Sequence, residues 1–504
     1  MPAPEVSHYD LAIAGGGING TGIARDAAGR GLKVLLVEKD DLASHTSSGS
    51  TKLIHGGLRY LEYYEFGLVA EALAEREVLL RAAPHIIAPL QFVLPHEPHL
   101  RPAWMIRAGL FLYDHLGGRK TLPSSFGVHL GRSKWGAGLK ARFDKGFVYS
   151  DARVDDARLV VVNALAAREQ GAEIRTRTRL IGARRARGLW RVTLTGAAGA
   201  TEEVRARGLV NATGPWVKQV LDDVSASPTN AAVRHVKGSH IVVPRVHAED
   251  HAYILQNSDS RIVFVIPYEG DFSLIGTTDI PVDDFESPAV SRGEIDYLCE
   301  ITNAYLARPI GAGDVVWTYS GVRPLYDDGT ADPSAVTRDY VLKLDTGEDS
   351  QAPLLSVFGG KITTYRRLAE SALSEFKPFF PQMKGEWTRA EPLPGGDMPR
   401  GGLAFFERDL AGRYPALPAA LRVALVARHG TRATRILGEA KTTRDLGTFF
   451  GHTLYAAEID YLVAHEWAHS ANDVLWRRTK CGLHLTAHQR NAVAVYLHEQ
   501  YGHE

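Results

Sequence analysis

The sequence predicts an α/β chain. A parallel βαβ domain is interleaved with an α+β region built on an antiparallel sheet, and a helical domain follows. Three observations lead there. Apolar strand-like runs alternate with helix-like stretches through the first half, as in LAIAGGG (11–17), a helical pattern over 18–30, and LKVLLVEK (32–39). The runs HIVVPRV, RIVFVIPY and FSLIGTTD (240–246, 261–268, 272–279) are β-rich and close together in sequence, which suits antiparallel pairing. Past the Pro/Gly-rich stretch EPLPGGDMPRGG (391–402) helical periodicity dominates, in ALPAALRVALVARHG, YAAEIDYLVAHEWAHSANDVLWRRT and TAHQRNAVAVYLHEQ.

The remaining elements follow in order. DDARLVVVNALAAREQGAEI (155–174) reads as helix, a stop at Gly171, then strand. RGLVNATGPW (207–216) is a strand running into a turn, and LLSVFGGKITTYRRLAESAL (354–373) is strand, glycine turn, helix. The chain has 504 residues, enough for two to four domains. Residues 1–390 form the interleaved part, 391–402 a linker, and 403–504 a helical cap.

Bulk chemistry excludes several classes. Lys plus Arg equals Asp plus Glu at 58 each, so no overall basic field points to nucleic acid. Two distant cysteines, Cys299 and Cys481, suit a reducing compartment and give no metal-ligand spacing. MPAPEVSHYD does not read as a secretory signal, and no apolar run approaches the ~18 residues of a spanning helix.

AIAGGGINGTGIARDAAGRGLKVLLVEKD contains Gly15-x-Gly17-x-x-Gly20 between a strand and a helix, with Glu38 ending the next strand. That is the context a dinucleotide fingerprint requires. Gly15 makes the turn, Gly17 lets backbone approach a pyrophosphate, and Gly20 lets helix and strand pack. The diphosphate sits on the helix N-terminus, lined by Ile18 and Asn19. Glu38, followed by Lys39, accepts from ribose hydroxyls and disfavours a 2′-phosphate. The segment LASHTSSGSTKLIHGG then supplies hydroxyls and close backbone approach for a longer cofactor such as FAD.

SSGSTKLIHGGLRYLEYYEFGLVAEALAEREVLL resembles the quinone-linked, FAD-dependent glycerol-3-phosphate dehydrogenases. These belong to the glutathione-reductase-like, D-amino-acid-oxidase-like flavoproteins. The resemblance continues through HLRPAWMIRAGLFLYDHLG, RGLVNATGPWVKQV, KGSHIVVPR, RIVFVIPY, VWTYSGVRPL, TRDY, LLSVFGGKITTYRRLAE and HEWAHSANDVLWRRTK, nearly the whole chain. It implies an FAD-binding Rossmann domain drawn mainly from 1–75, 150–232 and 340–380, and a substrate domain mainly from 76–149 and 233–339.

The resemblance implies oxidation of sn-glycerol 3-phosphate to dihydroxyacetone phosphate, with hydride passing from C2 to flavin N5 and electrons then to ubiquinone. Further flavin contacts implied are Thr46, Ser47, Lys52, Leu53, His55, Gly56, Gly57, Thr213, Gly214, Lys361, Thr363 and Thr364. A dianionic substrate needs a cationic pocket, and arginine's planar fork suits phosphate. Arg59, Arg323 and Arg338 lie in the matching segments, with Tyr60 beside Arg59. For the base, His240, Lys361 and His55 all remain open. Asp279 is expected to be structural. Lys361 faces substrate or flavin edge, and Thr363 and Thr364 begin a helix, threonine being a good cap.

A quinone acceptor calls for membrane contact. Residues 99–120 carry Trp104, Ala108, Phe111 and Leu112 at helical spacing, among Arg101, Arg107, Arg119 and Lys120, and read as an interfacial segment. Packing on the substrate domain would explain the same stripe. With the resemblance come a homodimer and the cytoplasmic face of the inner membrane. His465-Glu466-Trp467-Ala468-His469 is an HExxH on a stretch that reads as helix, but Asn472 stands where the longer zinc-protease pattern needs glycine. No metal is expected. An oxygen-using glycerol-phosphate oxidase, or a non-catalytic dinucleotide-binding protein, are the competing functions.

Overall fold

The computed structural model describes residues 7–97, 101–118, 121–225, 227, 232–257, 261–327, 339–347 and 352–503. Strand His8–Ala14 lies at the heart of the first sheet, parallel to Val34–Val37 on one side and Thr201–Asn211 on the other. Glu173–Arg175 and Leu354–Phe358 extend the parallel order outward on the two sides. Alternate side chains serve two different cores. Leu11 and Ile13 pack under helices Ile18–Gly29, Asp156–Glu169 and Tyr365–Phe376, while Ala12 and Ala14 face Trp190 and Leu194 across the sheet.

The second sheet has ten strands and is mostly antiparallel. As expected, Ala232–Pro244, Ile262–Tyr268 and Phe272–Gly276 are antiparallel neighbours, and Trp317–Asp327 pairs with the other edge of the first of them. Leu53–Ile54 and all of Lys145–Val154 also join this sheet, so the two sheets exchange chain at slightly different points from those the sequence suggests.

Helices Gly402–Arg413, Ala419–His429, Ala456–Glu466 and Ala487–Tyr501 enclose a core of their own. A small hairpin, Phe449–Gly451 with Leu454–Tyr455, departs from the helical expectation. The 391–402 stretch is fastened down rather than free. Leu393 N–H donates to Ala82 O (2.8 Å), and Thr431 N–H to Gly395 O (3.1 Å). A Cβ on Gly395 would strike the His429 backbone, and its φ of +87° suits only glycine.

Buried charge joins the C-terminal domain to the rest. Arg158, fully buried on helix Asp156–Glu169, is bidentate to Glu466 and donates Nε–H to Arg428 O (3.0 Å). Arg428 in turn pairs with Glu458 (2.9 Å). Removing one partner leaves an uncompensated buried charge, so Glu466→Gln is expected to lower unfolding free energy by about 3–5 kcal/mol. Urea denaturation of variant and parent measures it. Burial alone would raise the Glu466 carboxyl, but Arg158 and His429 hold it below the ordinary 4.5. Its contribution is therefore complete above that value and is lost as pH falls below it.

Candidate active site

The first βα turn forms a cradle. Gly15, at φ +112°, backs onto the Ala212 carbonyl, where a Cβ would collide. A Cβ on Gly20 would strike the Gly15 carbonyl oxygen. A Cβ on Gly17 would press on Ser47 Oγ, at 3.0 Å. Gly17 is the N-cap of helix Ile18–Gly29 and lends no side chain to it. Ile18 N–H is taken by Ser47 Oγ (3.0 Å), which fixes the Ser/Thr segment against the helix end.

A cavity of about 500 Å³ opens here. Gly15, Gly17, Ile18, Asn19, Glu38, Lys39, Thr46, Ser47, Thr213 and Gly214 line it. Glu38 is buried, with Oε2 accepting from Gly16 N–H (2.6 Å) and Oε1 from Asp40 N–H (2.9 Å). Burial pushes its carboxyl up from the ordinary value, while those two N–H groups pull it down. Lys39 Nζ lies over the Trp216 ring at 3.7 Å. Asn19 gives its amide to Gly359 O (3.1 Å), leaving Oδ1 buried without a partner, as is Trp216 Nε1. A dinucleotide with acceptors, donors and a diphosphate fits this lining. Burying such polar atoms unpaired is costly, and a ligand relieves it. Gly15→Ala is expected to abolish cofactor retention, read as lost flavin absorbance in the purified protein.

Several of the expected contact residues do not line this cavity. Lys52 is buried and its ammonium binds Asp156 Oδ1 (2.7 Å) and Ser48 O (3.0 Å), at the start of helix Asp156–Glu169. A desolvated ammonium needs a carboxylate, and Asp156 supplies it away from the cavity lining. Leu53 belongs to the apolar core of the second sheet. Thr364 occupies the N-cap of helix Tyr365–Phe376 without a side-chain cap, and Thr363 Oγ1 instead accepts from His55 N–H (3.3 Å). Gly56 N–H donates to Tyr113 Oη (2.8 Å), and Gly57, at φ +73°, leaves room for the Tyr60 ring. Sequence reasoning missed Gly359, Gly360 and Trp216 as lining residues, although FGGK and TGPW carry them. It also missed Thr178–Ile181, which have no local signal.

The polar residues meet on one face of the second sheet. Strands Ala232–Pro244 and Trp317–Asp327 place Val236 opposite Arg323, Gly238 opposite Gly321, and His240 opposite Tyr319. Alternation puts all six on a single side. The two glycines have different reasons. A Cβ on Gly238 would lie 2.7 Å from an Arg323 guanidinium nitrogen, and one on Gly321 would lie 2.7 Å from Gly49 O. Space for the arginine and close approach of the Ser/Thr segment are thus both built by missing side chains. Gly238→Ala is expected to displace the guanidinium and raise KM without loss of flavin, measurable by steady-state kinetics.

His240 is buried and stacks on Tyr319 (4.8 Å, 13°), with Nε2 3.0 Å from Thr51 Oγ1. Nδ1 has no partner, and in the tautomer whose Nε2–H donates to Thr51 it holds the lone pair. Burial, reinforced by Lys52 and Arg323, holds this imidazole well below 6.5, so it is neutral at working pH. Arg323 is half-exposed and pairs with the equally exposed Asp279 (2.8 Å). His55 faces Phe264 edge-on at 6.4 Å, and burial lowers its ring too. Phe264 stands opposite Gly276, and Gly276 opposite His240, so the two histidines border one stretch of sheet. Lys361 Nζ lies 4.1 Å from the Tyr60 ring centroid. Arg59 is half-exposed, with a guanidinium nitrogen 3.5 Å from Tyr63 Oη, while Glu62 pairs with Arg101 (3.3 Å). Arg338 lies outside the described residues.

The HExxH does not form a metal site. Helix Ala456–Glu466 stops before Trp467, whose left-handed backbone (φ +56°) turns the chain, so His465 and His469 do not share a helical face. Glu466, which a hydrolase would need as a base, is the buried partner of Arg158. Among the described residues, one cluster of three metal-capable groups occurs, Glu38, Asp40 and His45, beside the cradle. Metal analysis of purified protein is expected to find no stoichiometric zinc.

A dinucleotide cradle on one sheet, beside a sheet face carrying arginine and a neutral histidine, defines a flavin-type oxidoreductase. The family model for FAD dependent oxidoreductases matches residues 10–366, and the chain belongs to that family, with FAD as its cofactor. A second model, the C-terminal domain of alpha-glycerophosphate oxidase, matches 387–502. A glycerol-3-phosphate dehydrogenase of Pseudomonas aeruginosa is 53% identical over 502 residues, covering 99% of this chain and 97% of that one. A D-erythritol 1-phosphate dehydrogenase of Brucella abortus is also 53% identical, over 98% of both chains. The crystal structure of the glycerol-3-phosphate dehydrogenase from Bacillus halodurans, complexed with FAD, has a TM-score of 0.75 at 26% identity, covering 98% of this chain and 91% of that one.

Proposed function

We propose that the protein oxidises sn-glycerol 3-phosphate to dihydroxyacetone phosphate and passes the electrons to ubiquinone at a membrane. The observation that carries it is the sheet face on which Arg323 and the neutral, partnerless His240 Nδ1 stand together beside the FAD cradle. Bound FAD supplies the acceptor for the hydride leaving C2. The chain's own residues do the rest. Arg323 holds phosphate oxygens, with Arg59 and Arg338 as further ligands. His240 takes the C2 hydroxyl proton at Nδ1. Lys361, held over Tyr60, places positive charge at the substrate's other side.

Membrane contact has support in helix Ala103–Leu116. It buries Leu110 and Tyr113 yet exposes Trp104 (70%) and Phe111 (59%), with Met105 and Leu112 beside them. Tyr64 (79% exposed) and Phe66 lie on the preceding segment. Ala108, expected on the stripe, lies between them on the same helix, whereas Arg119 and Lys120 lie outside the described residues. No helix among the described residues is long and apolar enough to cross a bilayer. We place the contact at the membrane surface through this apolar face, and on the cytoplasmic side of the inner membrane. A homodimer is the assembly we propose, tested by mass in solution.

The test is an anaerobic absorbance titration. Glycerol 3-phosphate is expected to bleach the flavin, and quinone analogues to restore it faster than oxygen does. Bleaching by D-erythritol 1-phosphate at a higher kcat/KM would assign the longer polyol instead. Rapid reoxidation by oxygen alone would favour an oxidase.

A further inference from the structure

We infer that Trp476, from the C-terminal domain, is a positioning residue for His240, acting through a stack of rings that crosses from one domain to the other. The inference rests on His240 being the proton acceptor. Trp476 stacks on Trp317 (centroids 4.6 Å, 19° between planes). Trp317 meets Tyr319 at 5.1 Å, and Tyr319 stacks on His240 at 4.8 Å and 13°. Trp317 and Tyr319 are two residues apart on one strand, so they share a face, and Tyr319 is directly opposite His240 in the register. The ladder is therefore continuous.

Both ends are held. Trp476 rides on the short π-helix Asp473–Arg478, which is clamped to the first domain. Arg477 Nε lies 2.6 Å from Asp41, Arg478 forks onto the same carboxylate at 2.7 and 2.8 Å, and Asp473 receives Arg177 at 2.7 Å. Behind the indole, a Cβ on Gly482 would lie 2.7 Å from the ring, so the glycine lets the chain press against it. At the other end, Tyr319 Oη donates to Ser50 O (2.8 Å), and Ser50 Oγ to Asp156 (2.7 Å). Thr51, next in sequence, holds His240 Nε2. The imidazole is thus fixed at its edge by the Thr51 hydroxyl and on its face by Tyr319. Nδ1 has no protein partner to orient it, so the stack, together with the Thr51 contact, sets where the lone pair points. Misplacing a reacting group by about 1 Å can cost about a hundredfold in rate.

A double-mutant cycle tests this, read as the anaerobic rate of flavin reduction by glycerol 3-phosphate. Trp476→Leu is expected to retain flavin, lower the limiting rate about tenfold, and leave the half-saturating substrate concentration within about twofold. Trp476→Phe, which keeps a stacking ring, should return most of the rate. In a His240→Ala background Trp476→Leu should cost nothing further, because its route to the chemistry is gone. A loss of equal factor in both backgrounds would overturn the inference, as would Leu and Phe variants that fall alike. If Trp476→Leu fails to hold FAD, Trp476→Met, a flexible chain of similar bulk, carries the same cycle. Failure of the proposed function is separable, since it would show as His240→Ala reducing flavin at the parent's rate.

Discussion

Arg323→Met raises KM for glycerol 3-phosphate by about 10–150-fold, the equivalent of one hydrogen bond to a charged group at about 1.5–3 kcal/mol. Flavin content and thermal stability stay at the parent's level, because the side chain is half-exposed and pairs with the exposed Asp279. That exposed pair is worth at most about 1 kcal/mol, so Asp279→Asn changes KM by no more than a few-fold. The asymmetry between the two variants separates phosphate capture from a structural ion pair. Rising salt should increase the parent's KM, and the Met variant should respond less, having lost the cation that salt screens. Steady-state kinetics at two ionic strengths decides it. An Arg323→Met variant that saturates at the parent's concentration would remove Arg323 from the pocket.

His240→Ala lowers the limiting rate of flavin reduction by about 10²–10⁴-fold, the range for loss of a general base, while KM moves little. The pH profile is informative. Burial, with Lys52 and Arg323 nearby, keeps the free imidazole well below 6.5. The base is therefore neutral and competent above that value. The acid limb of kcat/KM should fall below pH 6.5, where the ring takes a proton and can accept no other. An acid limb centred above 6.5 in the parent would exclude His240 as the base. If the limb survives in His240→Ala, the titrating group is another, with His55 the nearest alternative on the same stretch of sheet.

Much of the cradle was legible in the sequence because its signals are local. Gly15, Gly17 and Gly20 lie within one βα turn, and each reports a steric fact about backbone that no side chain can satisfy. Glu38 follows at the end of the next strand. Trp216 and Gly359 escaped, although they sit in quoted motifs, because nothing in a turn sequence says which cavity it will face. Lys52 was misplaced for the opposite reason. It stands among cofactor-contacting residues in sequence, but its ammonium is drawn to Asp156, a hundred residues on, by the cost of leaving a buried charge unpaired. The HExxH helix was over-extended because hydrophobic periodicity runs through Trp467, and only the left-handed turn there ends it.

The sequence by itself determined the alternation of strands and helices, the dinucleotide turn, and the kinds of side chain available for phosphate and proton. These depend on local sterics and on periodicities of two and 3.6 residues. Only the tertiary structure decided that His240 faces Tyr319, that Gly238 makes room for Arg323, and that a C-terminal tryptophan reaches the same stack. Register between strands some eighty residues apart, and the docking of one domain on another, follow from how whole surfaces exclude water and pair their buried charges. That is a property of the assembled fold, and no single stretch of chain contains it.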